Sequence, residues 1–223
     1  MRPEFDRHEA EFVAPVALQG PYDRLYASRE DNILWGEAPT HMLAHLKGQP
    51  PGARTLDIGC GDGVNSMALE AMGFNNVGVE ISALALNGLK NRAKKAGISL
   101  RGSYNRADVH HFSSSQFDEP LDAIVSCGLY HCLDYTMRLS VHRQINDLVR
   151  RTGLILFSTL TDDIEVDESH GTDIFDLPSH EEIKSLFEGY DIISWKSGII
   201  DDRHPPITPD HQHSILWVVA RRP

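Results

Sequence analysis

The 223-residue chain is short of cysteine: only Cys60, Cys127 and Cys132 are present, and no two form a C-x-x-C pair. That excludes a disulfide framework and a zinc ribbon. No run of about 18 apolar residues occurs, so no membrane-spanning helix is expected. The opening MRPEFDRHEAEF has no apolar stretch behind a basic segment, so no signal peptide is expected. Positive charge is scarce too. Lys plus Arg is 21 against 32 for Asp plus Glu, a formal net charge of −11 with His neutral. That balance argues against nucleic acid or an anionic membrane as partner, while leaving room for a local basic site. These absences predict a cytoplasmic protein with reduced thiols. Internal repeats and low-complexity tracts are also missing. What is there is ordinary: 41% hydrophobic and 24% charged residues exclude a disordered chain. The length suits one α/β domain with a core large enough to need no staples.

Residues 1–35 carry Pro3, Pro15, Gly20 and Pro21 and read as an irregular arm or lid with a short helix. From residue 36 to 223 strands and helices alternate. Apolar spacing predicts a helix over 38–47, stopped by GQPPG (48–52). Strands are expected at 55–59, 76–80, 98–104, 121–128 and 152–160. Helices are expected at 64–73, 81–97, 136–151 and 178–189, with Ser82 capping the second and Gly73 closing the first. Two further strands, 190–200 and 213–222, are joined by a loop and predict an antiparallel pair at a sheet edge. Alternation of this kind gives a mostly parallel sheet with helices on both faces.

The strongest local signal is LDIGCGDGVNS (56–66). Gly59, Gly61 and Gly63 fall in the turn between a strand and a helix, where backbone can approach a ligand closely. The helix N-terminus behind them offers N–H groups and a positive dipole end to an anionic group. Glu80 ends the next strand, 21 residues after Gly59. An acid there can accept from both hydroxyls of a ribose. Two cofactor classes share this geometry. Dinucleotide enzymes usually show G-x-G-x-x-G; here the spacing is G-x-G-x-G, preceded by Asp57, with Ser66 where a further glycine would sit.

This stretch resembles motif I of the class I S-adenosylmethionine (SAM)-dependent methyltransferases, and the element order resembles theirs over roughly residues 35–222. The resemblance implies a Rossmann-like α/β fold: a seven-stranded, mostly parallel sheet of order 3-2-1-4-5-7-6, the last strand antiparallel. It implies SAM as cofactor, with residues 59–63, Cys60 included, holding the methionine portion. Asp57 would order that loop or reach the ammonium through water. Glu80 would bind the ribose hydroxyls, Ile81 would pack on the adenine, Asp108 would accept from the adenine amino group and the Val109 N–H would meet the ring. CGLYHCL (127–133), beginning at Cys127, would line the cofactor and face the acceptor. HPP followed by two further histidines before the last strand, with WGEAP (35–39), resembles the tellurite-resistance (TehB-like) small-molecule branch. Trp35 would then cap the cofactor, with Tyr22 and Tyr26 in the same lid or simply anchoring the arm.

Methyl transfer from a sulfonium is an in-line displacement. It asks the protein to hold the acceptor about 3 Å from the methyl and to exclude water. A base is needed only for a weakly acidic acceptor. His131 is the base candidate, at the carboxyl end of the fourth strand where an open α/β sheet has its ligand crevice; its alternative is a packed histidine bonded to backbone. Tyr130 would pack over the cofactor or shape the acceptor pocket, and Cys132 is expected in the core. His204, His211 and His213 could converge on the pocket; three imidazoles can bind a transition metal, though a solvated loop carries incidental histidines as readily. No resident metal is expected. HH at 110–111 reads as loop, RAKKAG (92–97) as a solvated helix end, and TDDIEVDESHGTD (161–173) as a loop overhanging the crevice. The function expected is methylation of a small molecule whose accepting atom is a thiol, a metalloid oxyanion, or the O or N of a metabolite. A non-catalytic SAM-binding scaffold and a nicotinamide-dependent oxidoreductase remain as alternatives.

Overall fold

The computed structural model describes residues 22–109, 117–165, 174, 176–202 and 210–223. Among these, seven strands form one sheet: β1 Arg54–Ile58, β2 Asn75–Glu80, β3 Ser103–Arg106, β4 Leu121–Cys127, β5 Val149–Thr161, β6 Asp191–Asp202 and β7 His211–Arg221. Their order is β3-β2-β1-β4-β5-β7-β6, as the resemblance implied. The pairs among β1 to β5 are parallel. β7 runs antiparallel to both β5 and β6. Six helices accompany the sheet among the described residues: α1 Asp23–Ala27, α2 Thr40–Leu43, α3 Val64–Ala71, α4 Ala83–Ala96, α5 Tyr135–Leu148 and α6 His180–Leu186.

Alternation along the strands sends side chains to two cores. Ile124 of β4 with Ile155 and Phe157 of β5 meet Ile145 of α5 and Ile183 of α6. Ala123, Val125, Leu154 and Leu156, one residue out of phase, meet Met42 of α2 and Leu69 of α3. Both faces of the central strands are therefore covered, which is why these strands read as continuous apolar runs. Helix starts follow local chemistry. The Ser82 hydroxyl accepts from the Ala85 N–H at 3.1 Å, the Asp134 carboxylate from Met137 at 2.8 Å, and the Ser179 hydroxyl from Glu182 at 3.1 Å. Gly73, at φ 81°, follows α3, and Gly97, at φ 66°, ends α4.

Two of the boundaries that differ from the sequence expectation have a clear local cause. Strand β3 begins at Ser103, not at Ile98. The Glu70 carboxylate takes the N–H groups of Arg101 (3.0 Å) and Gly102 (2.6 Å), so these donors are satisfied by a side chain before the ladder starts. Helix α5 gives way to β5 already at Val149. The extra residues are absorbed by a register shift against β4 and by Thr152 at φ 63°.

Candidate active site

The loop from β1 to α3 is tied down from below. The N–H groups of Gly59 and Cys60 both donate to the Val79 carbonyl, at 2.8 and 3.0 Å. Gly63 sits at φ 85°, and a Cβ there would lie 2.5 Å from Leu89 Cγ, so its lack of a side chain lets α4 pack against the loop. Gly61 faces the other way: a Cβ there would lie 2.9 Å from the Tyr26 hydroxyl.

At the carboxyl ends of the strands this loop opens on a cavity of about 560 Å³. Gly59, Cys60 and Gly61 line it, with Glu80 and Ile81 after β2, Asp108 and Val109 after β3, and Cys127 after β4. Tyr22, Tyr26, Trp35, His131 and His213 complete the wall. Glu80 accepts from the Gly61 N–H at 3.0 Å and from the Ser82 N–H at 2.8 Å. Burial pushes its carboxyl up, and backbone hydrogen bonds from Ser82, Gly61 and Ile81 oppose that shift. A carboxylate has about four acceptor positions, so Glu80 keeps capacity for a ligand. Burial pushes the Cys127 thiol up to about 12, which makes it a neutral wall residue and not a thiolate nucleophile.

Asp57 and Gly63 stand behind the loop and do not line the cavity. Asp57 is buried and accepts from the Ser66 hydroxyl at 2.6 Å. Asn76 donates to that hydroxyl at 3.2 Å and accepts from Thr55 at 2.9 Å. Burial raises the Asp57 carboxyl to about 7, against the Ser66 hydrogen bond. Ser66 thus braces the acid beneath the loop with a hydroxyl that a glycine at this position would not supply.

The arm forms the opposite wall. Tyr26 is buried, and its hydroxyl accepts from Trp35 Nε1 at 2.9 Å. The Tyr22 ring meets Trp35 edge-on at 5.4 Å, and its hydroxyl lies 2.9 Å from His131 Nε2. Sequence reasoning missed what holds this arm. Asp62, fully buried, accepts from the N–H groups of Leu34 (2.7 Å) and Trp35 (2.9 Å) and from Arg92 Nη2 (2.8 Å). Arg92 also donates to the Trp35 carbonyl at 2.6 Å. It is therefore a clamp, where RAKKAG was expected to be a solvated helix end. A Cβ on Gly88 would lie 2.0 Å from the Asn32 carbonyl oxygen, so the arm seats itself on a gap in α4. The signal was present as a stripe: Gly88, Asn91, Arg92 and Lys95 share one helix face, and Asn91 and Lys95 both bond Asp31.

Two expectations are corrected. Tyr130 does not reach the cavity. It is fully buried, 4.7 Å edge-on to Phe157, with its hydroxyl 3.4 Å from His142 Nδ1. Cys132, expected in the core, lines the cavity. Both follow from the tight 3-10 turn at Tyr130–Cys132, which fans consecutive side chains apart and sends Tyr130 inward and His131 to the site. His211 and His213 meet each other, with Nε2 atoms 2.9 Å apart, and of the two only His213 lines the cavity. His204, His110 and His111 lie outside the described residues, as does most of the 161–173 loop.

Residues 55–153 match a family described as a methyltransferase domain. The chain is 38% identical over 129 residues to cyclopropane mycolic acid synthase 2 of Mycobacterium leprae, covering 56% of this chain and 41% of that protein. It is 33% identical over 114 residues to the ubiquinone biosynthesis O-methyltransferase of Aromatoleum aromaticum, covering 49% and 44%. The chain therefore spans less than half the length of these two relatives. Among solved structures, TehB of Haemophilus influenzae superposes with a TM-score of 0.68 at 16% identity, over 83% of this chain and 63% of that one. The matched methyltransferase domain spans residues 55–153, and the strand order is the one that the resemblance to the class I SAM-dependent methyltransferases implied. Among the described residues, no helix is long and apolar enough to cross a membrane.

Proposed function

We propose that the protein binds SAM in this cavity and transfers its methyl group to a small molecule. The observation that carries the reading is a convergence: the β1–α3 glycine loop, Glu80 and the Asp108–Val109 pair all open on one cavity whose far wall holds His131. Bound SAM supplies a methyl group made electrophilic by its sulfonium sulfur. The chain's part is to hold, orient and exclude water. Residues 59–61 take the methionine portion. The Glu80 carboxylate takes the ribose hydroxyls. Asp108 accepts from the adenine amino group, the Val109 N–H meets the ring, and Ile81 packs on its face. Trp35 and Tyr26 close the cavity from the arm, so residues 22–35 act as a lid on the domain that follows; residues 1–21 of the expected arm lie outside the described residues. Asp57 keeps the loop in shape from behind.

On the acceptor side, His131 takes a proton from an acceptor that is not already an anion, with Tyr22 orienting the ring. Cys132 and the face of β7 bound the same space. The acceptor is a small molecule with a soft or ionisable nucleophile: a thiol, a metalloid oxyanion, or the oxygen or nitrogen of a metabolite. A cytoplasmic setting with reduced thiols is part of this reading, since Cys60, Cys127 and Cys132 are all free. Nucleic acid is not the partner expected of a chain with net charge −11.

The test is calorimetric titration with S-adenosylhomocysteine, with NAD as control, followed by a turnover screen of thiols, oxyanions, phenols and amines. Binding of S-adenosylhomocysteine at about micromolar affinity, with none for NAD, is the expected result. Binding of NAD alone would overturn the reading.

A further inference from the structure

The last rungs of the β6–β7 ladder put three metal-ligating side chains together. Asp202 pairs directly with His211, and Ile200 with His213. Because strand side chains alternate, His211 and His213 share one sheet face, and Asp202 shares it across the rung. The same face continues as Ile215 and Trp217 into the cavity, and both Asp202 and His213 line it. The ligand atoms of Asp202, His211 and His213 all lie within 4.8 Å of one another. His211 Nε2 is 2.9 Å from His213 Nε2, and His213 Nε2 is 3.9 Å from an Asp202 oxygen. His213 is only 3% exposed.

We infer that Asp202, His211 and His213 form a divalent transition-metal site on the wall of the active cavity. Two imidazole nitrogens on one tetrahedral Zn²⁺ at 2.0–2.1 Å sit roughly 3.3 Å apart, so the observed pair needs to open by only about 0.4 Å. Two imidazoles and one carboxylate suit Zn²⁺, Fe²⁺, Co²⁺ or Ni²⁺, and three protein ligands leave positions open for a non-protein group. The ligands stand on paired strands, not on a loop, so their spacing is held by the ladder. The carboxylate also offsets part of the cation's charge.

Asp202 and His213 line the space assigned to the acceptor, so a metal held there would be within reach of it, and this half of the inference rests on the methyl-transfer reading. An acceptor with an anionic donor atom, a thiolate foremost, would bind the metal there after releasing its proton to water. The S–CH₃ bond to the acceptor then forms as the sulfonium–CH₃ bond breaks, and S-adenosylhomocysteine leaves with the electron pair. The metal changes no oxidation state.

The experiment is titration of the chelator-treated full chain with Co²⁺ and Zn²⁺, read by Co²⁺ visible absorption and by calorimetry. One equivalent bound at about micromolar affinity or tighter is expected, with Co²⁺ bands in the visible range. His211→Ala and Asp202→Asn should each weaken metal binding tenfold or more, while His45→Ala leaves it unchanged. S-adenosylhomocysteine affinity, measured on the same samples, reports the integrity of the fold. A small thiol added to the Co²⁺ form should give a new near-ultraviolet charge-transfer band; its absence would overturn the acceptor half. No metal binding, or binding that ignores both variants, would overturn the site. If S-adenosylhomocysteine fails to bind while the metal does, the methyl-transfer reading falls and the metal site stands; the reverse result separates them the other way.

Discussion

The Tyr22 hydroxyl lies 2.9 Å from His131 Nε2 although 109 residues separate the two in sequence. The bond joins the arm to the turn after β4. One end is a residue of the lid, and the other is the histidine facing the acceptor space. Their rings also meet edge-on at 6.3 Å, so the imidazole is oriented by both contacts. The His131 carbonyl is held as well, by the Asp176 N–H at 3.2 Å. The same contact therefore anchors the arm and orients the imidazole proposed as the base.

Tyr22→Phe keeps the ring against Trp35 and removes only the hydroxyl. We expect turnover to fall about tenfold, with S-adenosylhomocysteine affinity changed less than threefold. His131→Ala should lower turnover further while sparing cofactor affinity in the same way. Steady-state kinetics with an acceptor from the screen, paired with calorimetry, checks both. An unchanged rate in His131→Ala would return that residue to a packing role.

Glu80 is asked to hold a ligand with the lone pairs that Gly61 and Ser82 leave over. Glu80→Gln removes the charge and can turn an NH₂ toward one of those backbone donors. Charge-assisted hydrogen bonds contribute about 1.5–3 kcal/mol each, so S-adenosylhomocysteine binding should weaken by at least tenfold. An affinity within twofold of the parent would show that the ribose is held elsewhere.

Asp62 and Arg92 make a third prediction. Asp62→Ala removes the acceptor of the Leu34 and Trp35 N–H groups, and Arg92→Ala leaves the buried Asp62 carboxylate without its cationic partner. Such losses typically cost about 1–3 kcal/mol. Limited proteolysis should cut within residues 22–40 faster than in the parent, and cofactor affinity should drop with arm closure. Cleavage at the parental rate would mean that the aromatic contacts of Tyr22 and Tyr26 hold the arm unaided.

These three sites differ in how they could be found from sequence. The glycine loop and Glu80 are legible because they are short-range: a strand, three glycines at alternate positions, a helix, and an acid closing the next strand. The mostly parallel sheet and its antiparallel final pair followed from the alternation of elements, while the strand order came from the resemblance to the class I methyltransferases. The Asp62–Arg92 clamp depends on where residues 32–36 return after leaving the domain, and no local pattern encodes that path. Only the Gly88 to Lys95 stripe hinted that one face of α4 was occupied. Tyr130, His131 and Cys132 show another limit. The sequence placed them after β4, but the phase of a tight turn decides which of three neighbours meets the ligand. The β3 start was hidden because Glu70, on α3, competes with the ladder for the N–H groups of Arg101 and Gly102.

Asp57 carries the pH prediction. Its carboxyl titrates at about 7 in the folded protein, because burial penalises the charge more than the Ser66 hydroxyl repays it. In the unfolded chain an aspartate titrates near its ordinary value of about 3.9. Between those two values the folded state holds a proton that the unfolded state has released. Stability therefore falls as pH rises through that window, by up to about 1.4 kcal/mol per unit for this one group, and levels off above about 7. Asp57→Asn removes the titration while keeping an oxygen for the Ser66 hydroxyl. Its melting temperature relative to the parent should rise from pH 5 to about pH 7 and then level off. Taking the difference between the two proteins cancels groups that do not interact with Asp57. A difference that stays constant across that range would mean that Asp57 is already ionised at pH 5, and that its bond to Ser66 outweighs its burial.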